Sequence, residues 1–175
     1  MKSELVVDVQ QKETSIALLE DSRLVSLQKE NRNVAYAVGD IYLAKVRKLM
    51  PGLNAAFVDV GYDKDAFIHY LDLGAQFSTY SKFMAEALED KDKTPNISKF
   101  PAEPDIPKQG SITDILQQGQ KLLVQIAKEP ISSKGPRLTT DLSLTGRYMV
   151  LIPFGSKISI SQKIKSTDFL QSLLH

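Results

Sequence analysis

The sequence predicts a mainly β protein, a small antiparallel barrel preceded by part of a second sheet. Three observations carry that expectation. Short β-branched segments alternate with tight polar turns from the first residues onward. Between Ile41 and His69 the order is strand, turn, strand, turn, strand, the spacing of a small antiparallel barrel. A further strong β run, Lys121–Lys128, follows a long polar interval.

At the amino terminus, Glu4–Val9, Ser15–Leu19 and Leu24–Leu27 read as three strands of a meander, joined by polar breaks at Gln10–Thr14 and Glu20–Ser22. So few strand residues bury no core alone and require a sheet completed elsewhere. Ile41–Leu49, Ala55–Val60 and Ala66–His69 form the barrel's opening, with turns at Met50–Asn54 and Gly61–Asp65. Residues 72–110 change character. A short helix fits around Lys82–Leu88, and Pro95, Pro101, Pro104 and Pro107 then oppose both helix interior and sheet ladder, so the stretch reads as a long loop. Ile112–Gln120 reads as a helical turn ending at Gly119. After the Lys121–Lys128 strand and a loop over Ser132–Pro136, Arg137–Leu144, Tyr148–Ile152 and Ile158–Ile160 read as strands. A helix is expected to begin near Ser166.

Composition narrows the function classes. Apolar residues make up 42% of the 175, enough for a packed core. With no cysteine there is no disulfide framework, thiolate metal site or cysteine nucleophile, which suits a reducing compartment. No apolar run reaches the ~20 residues of a membrane-spanning helix, and residues 1–5 lack a secretory leader's apolar stretch. A cytoplasmic location is expected. The net charge of +1 is unevenly spread: residues 1–71 carry 9 basic and 10 acidic side chains, residues 72–119 carry 5 and 8, and residues 120–175 carry 8 and 3. The basic last third points to a surface facing a polyanion.

Several blocks then occur in a recognisable order. Gly39–Val46, Pro51-Gly52-Leu53-Asn54-Ala55-Ala56-Phe57-Val58-Asp59-Val60-Gly61 and Ala66–His69 resemble the first half of an S-one-type OB-fold. The wording of the second block, with Val124–Glu129, Lys134-Gly135, Leu138–Thr140 and Leu142–Leu151 downstream, is similar to the ribonuclease E/G family. The resemblance runs from Leu5 to about Lys165. It implies a five-stranded OB-fold barrel inserted in an incomplete ribonuclease-H-like sheet. Residues 1–35 would be the first strands of that subdomain, 36–128 the RNA-binding barrel with its long loop 72–110, and 129–175 the return of the chain, cut short at His175.

Candidate site residues follow from the same comparison and from chemistry. The resemblance implies base stacking by Phe57 and Phe67, and OB-folds bind single strands in this way. A strand phenylalanine is otherwise core. Alternation puts Phe57 with Asp59 on one face and Val58 with Val60 on the other, and the polar Asp59 favours an outward Phe57. The family places phosphate-contacting lysines at positions matching Lys128 and Lys134, where a flexible point charge suits a phosphate. Lys45, Arg47 and Lys48 read mostly as a solvated face of the first barrel strand, with RNA contact as the competing reading of all three and Lys45 carried as the candidate. Gly146 and Val150 match half of the family's pocket for a 5′ monophosphate, whose other residues fall later in the family; a plain turn is the competing reading of Gly146.

No catalytic residue is expected. His69 stands without a nucleophile or metal partner, and Asp63-Lys64-Asp65 reads as a surface turn. The resemblance implies that the family's magnesium-binding aspartates and zinc-binding cysteines lie in its carboxy-terminal part, so no cofactor or metal is expected in this chain. The expected function is single-stranded RNA binding by the amino-terminal region of a ribonuclease E/G-type endoribonuclease of RNA processing and decay. Two alternatives stand beside it: a fragment of a longer enzyme, and a non-catalytic OB-fold module that binds protein. Unfinished sheet edges predict some self-association.

Overall fold

The structure, a computed structural model, describes residues 2–31, 36–89, 95–146, 148–155 and 159–160. The helix expected from Ser166 lies outside these residues. The chain forms two compact units, Met1–Ala37 and Val38–His175.

The first unit is the expected meander. β1 (Ser3–Val9), β2 (Glu13–Glu20) and β3 (Arg23–Asn31) pair antiparallel in that order. The β2–β3 turn uses Asp21 and Ser22 at φ 47° and 63°, the left-handed pair that matches strand twist in a two-residue hairpin. Apolar side chains of β1 and β3 stay exposed, among them Leu5, Val7, Leu24 and Leu27, while those of β2 are half-buried.

The second unit is built on a closed barrel, β4-β5-β6-β8-β7. β4 (Ile41–Met50), β5 (Ala55–Asp59) and β6 (Ala66–His69) form its meander. A helix, α1 (Phe77–Glu89), and a single helical turn, α2 (Ile112–Ile115), precede β7 (Lys121–Lys128), which returns to pair with β4. β8 (Arg137–Thr139) closes the ring, antiparallel to β7 and parallel to β6. This is the OB-fold strand order. Beyond it, β9 (Leu144–Thr145), β10 (Met149–Leu151) and β11 (Ser159–Ile160) form a small separate sheet.

Alternation fills the barrel. Val46, Val58, Ile68, Leu122, Val124, Ile126 and Leu138 point inward and are buried, and Ile112 and Leu116 plug one end. Asn54, left-handed at φ 47° after the Pro51–Leu53 turn, fixes that plug. Its amide donates to the Gly110 carbonyl at 2.9 Å and its oxygen accepts from the Ile112 N–H at 2.7 Å. Among the described residues, no helix is long and apolar enough to cross a membrane.

Two expectations need correction. The barrel does not end at residue 128, because its fifth strand is Arg137–Thr139, which was assigned to the segment after the barrel. The run expected as a strand over Arg137–Leu144 holds only three strand residues at this point, with Leu138 fully buried, and local pattern does not reveal that they pair with β6 and β7. Nor are the described residues of 72–110 a mere loop. The helix expected around Lys82–Leu88 is present and longer, Phe77–Glu89, and it buries Phe77, Thr79 and Tyr80. The proline-spaced stretch is neither helix nor strand, but it is tied down. Tyr70 donates its hydroxyl to the Pro107 carbonyl at 2.7 Å, Thr79 Oγ1 accepts from the Glu103 N–H at 2.9 Å, and Lys82 pairs with Glu103. Phe83, Phe100 and Phe154 pack edge to face or tilted, with ring centroids 5.2–6.0 Å apart.

Candidate nucleic-acid interface

The barrel's outer surface carries an open groove of about 830 Å³, floored by two aromatic rings and edged by lysines. Phe57 on β5 and Phe67 on β6 are direct cross-strand partners, their centroids 6.1 Å apart at 68°. Val58 and Val60 are buried, and the two phenylalanines are half-buried on the opposite face, where the parity of Asp59 put Phe57. Each ring therefore keeps surface available for a flat partner.

Lys128 and Lys134 enter the same groove from the β7–β8 connection. A tight turn shapes it: Ile131 and Lys134 exchange backbone hydrogen bonds at 2.8 and 3.2 Å, with Ser132 left-handed at φ 45°. Gly135 follows because only glycine fits there. A Cβ would lie 2.2 Å from the Asp65 carbonyl oxygen. Lys64 and Arg137 also line the groove, and neither was singled out from the sequence as an RNA contact. Arg137 was detectable only as a charged residue flanking a buried leucine.

Cations near the groove fall into two kinds. Arg137 forms a fork with Asp72, Nε and Nη2 donating at 3.0 and 2.9 Å, and this hydrogen bonding raises its pKa. Arg47 donates from Nη2 to Asp59 at 2.9 Å and reaches Asp65 at 3.3 Å, with its pKa raised first by the bond to Asp59. Asp59 is held below the usual carboxylate range by that bond and by the Gly61 N–H. The arginines thus brace the turns on either side of the groove. Lys64, Lys128 and Lys134 have no carboxylate partner among the described residues, so their ammonium groups remain available to an anion.

The other candidates lie elsewhere. Lys45 pairs across the sheet with Asp59 and Lys121 and lines two shallower depressions, not the aromatic groove. Gly146 occupies the β9–β10 hairpin, its N–H donating to the Met149 carbonyl at 2.8 Å, and Val150 pairs with Thr145. Neither residue lines the groove. His69 caps the short turn Tyr70–Asp72, its Nδ1 accepting from the Leu71 N–H at 3.1 Å while Asp72 accepts from the His69 N–H. Among the described residues, no three His, Cys, Asp or Glu side chains converge as a metal-binding group.

Comparison with known proteins finds relatives along most of the chain. The chain is 36% identical over 166 residues to Ribonuclease G of Escherichia coli K12, which covers 95% of the chain. Ribonuclease G of Haemophilus influenzae is 34% identical over 165 residues, and the Ribonuclease E/G-like protein of Porphyra purpurea is 41% identical over 137, or 78% of the chain. The chain belongs to the ribonuclease E/G family. No protein-family model matches it. It spans 30% of the length of the Ribonuclease G relatives and 22% of the Porphyra protein. The ribonuclease E/G likeness therefore concerns one portion of those proteins, and in that portion lies the barrel with its aromatic groove.

Proposed function

We propose that the barrel binds single-stranded RNA as the amino-terminal, non-cleaving region of a ribonuclease E/G-type protein of RNA processing. The observation that supports this most is the convergence of Phe57, Phe67, Lys128 and Lys134 in one groove. Bases stack on the two rings, and the lysines meet the phosphates. Stacking accepts any base, so sequence preference is weak. Lys45 extends the basic surface along β4. We further propose that residues 1–37 and the segment after β8 are parts of a ribonuclease-H-like subdomain interrupted by the barrel. Gly146 and Val150 are read as half of a 5′-monophosphate pocket, and the protein as cytoplasmic.

The test is fluorescence anisotropy of a labelled RNA of about a dozen nucleotides, within the roughly 4–16 that an OB-fold covers. It is run with and without magnesium, and the products are resolved on a gel. The expected result is salt-sensitive binding of intact RNA. About three phosphate contacts give a slope near −2 for the logarithm of affinity against that of salt. Absence of salt-dependent affinity would favour a protein-binding barrel, and magnesium-dependent cleavage would contradict a binding-only region. Equal affinity for 5′-phosphorylated and 5′-hydroxyl RNA would remove the half-pocket. The exposed apolar residues of β1 and β3 also lead us to propose self-association, which sedimentation tests.

A further inference from the structure

The two barrel strands that flank the groove each contain a β-bulge. In β4 the register steps from Val46↔Val58 to Lys48↔Phe57, leaving Arg47 as the extra residue. In β7 it steps from Ile126↔Leu138 to Lys128↔Arg137, leaving Ala127 as the extra residue. Strict alternation from the buried Val46 would turn Lys48 inward, and alternation from the buried Ile126 would do the same to Lys128. The bulges undo this. Arg47 and Lys48 are both exposed, as are Ala127 and Lys128. Bulges commonly re-aim a side chain next to a functional site.

The outcome is a continuous row across the barrel wall: Lys48 opposite Phe57, Phe57 opposite Phe67, Phe67 opposite Arg137, and Arg137 opposite Lys128. Directly opposed residues share one face of the sheet. Two aromatic rings therefore lie between two lysines, over four strand spacings or roughly 19 Å. Like Lys128, Lys48 has no carboxylate partner among the described residues. Its neighbour Arg47 holds both Asp59 and Asp65, so the nearby acids are already neutralised.

We propose that Lys48 is a second phosphate anchor, at the opposite end of the aromatic pair from Lys128, so that the bound strand crosses the barrel strands along this row. The inference rests on the RNA-binding reading and adds the direction of the path. It separates Lys48 from Lys45, which belongs to a different row with Asp59 and Lys121.

The experiment titrates the whole chain with labelled single-stranded RNA, comparing wild type with Lys48→Ala, Lys48→Arg and the control Lys99→Ala, an exposed lysine that does not line the groove. Phe57→Ala is included as a marker of the groove, and thermal melts confirm folding. Lys48→Ala is expected to bind about fivefold more weakly, and its salt slope to fall by about 0.7, one phosphate's share on a single strand. Lys48→Arg restores both quantities, and Lys99→Ala changes neither. If Phe57→Ala weakens binding while Lys48→Ala behaves like Lys99→Ala, the anchor and the path are wrong and the RNA-binding reading survives. If wild type shows no salt-dependent affinity for RNA, both fall together.

Discussion

Phe57 and Phe67 face each other across adjacent antiparallel strands, edge to face, with centroids 6.1 Å apart. Such a pair contributes about 0.5–1.5 kcal/mol beyond its buried area, so the rings hold each other in place before any ligand arrives. Each stacked base contributes roughly 1–3 kcal/mol. Replacing both phenylalanines by alanine is expected to reduce RNA affinity by more than about tenfold, and by more than Lys134→Ala does. Equal or negligible losses in an anisotropy titration would contradict stacking.

Gly135 is expected to tolerate no side chain. A Cβ there would lie 2.2 Å from the Asp65 carbonyl oxygen, and backbone cannot swing away as a side-chain tip can. Gly135→Ala should lower stability in urea by about 1–3 kcal/mol, the usual range for overpacking. It should also weaken RNA binding, because the shift displaces the turn bearing Lys134. A variant with wild-type stability and affinity would show that the loop repacks freely.

Tyr80 supplies an alkaline signature. Burial pushes its pKa up to about 12, and its hydroxyl donates to the Pro153 carbonyl at 2.8 Å. The folded value lies above the unfolded one of about 10, so the contribution is complete below pH ~10 and is lost as pH rises toward the folded value. In an ultraviolet titration the Tyr80 phenol should ionise late, together with loss of structure. Tyr80→Phe should abolish that late step and cost about 0.5–1.5 kcal/mol at neutral pH.

Asp59 gives the acid counterpart. Its pKa is lowered by hydrogen bonding from Arg47 and from the Gly61 N–H. A depressed folded value means that the contribution is present at neutral pH, above the unfolded value of about 4, and is lost as pH falls through the folded one. The stability gap between wild type and Asp59→Asn should hold from neutral pH to about 5 and close below about 4. A gap independent of pH would show that the carboxylate's charge is irrelevant to this turn.

Much of the fold was legible because local pattern determined it. Alternation located β1–β7, and the polar Asp59 beside Phe57 indicated which ring face points out. What was missed depends on long-range geometry. The strand at Arg137 is readable locally, but its place as the barrel's closing strand depends on pairing with β6, far back in the sequence. The fork between Arg137 and Asp72 joins residues 65 apart, and nothing near either one announces it. The packing of Tyr70 onto Pro107 and of Phe83 onto Phe100 orders a stretch whose prolines, read locally, say only that it is neither helix nor strand. Lys45, Arg47 and Lys48 were legible together as an exposed basic face, but the bulge that sets Lys48 opposite Phe57 and apart from Lys45 is not readable from alternation.

The parallel contact between β6 and β8 also governs when the groove can exist. Until Arg137–Thr139 emerges from the ribosome, β6 and β7 are open edges, and the far wall of the groove is absent. Phe57 and Phe67 can pair early, since a short turn joins their strands, but the lysine-bearing wall must wait for a distant closure. A nascent chain therefore exposes two aromatic rings before it has a closed groove. A delay before Arg137–Thr139 has left the ribosome lengthens that vulnerable interval, and a delay after those residues have emerged does not.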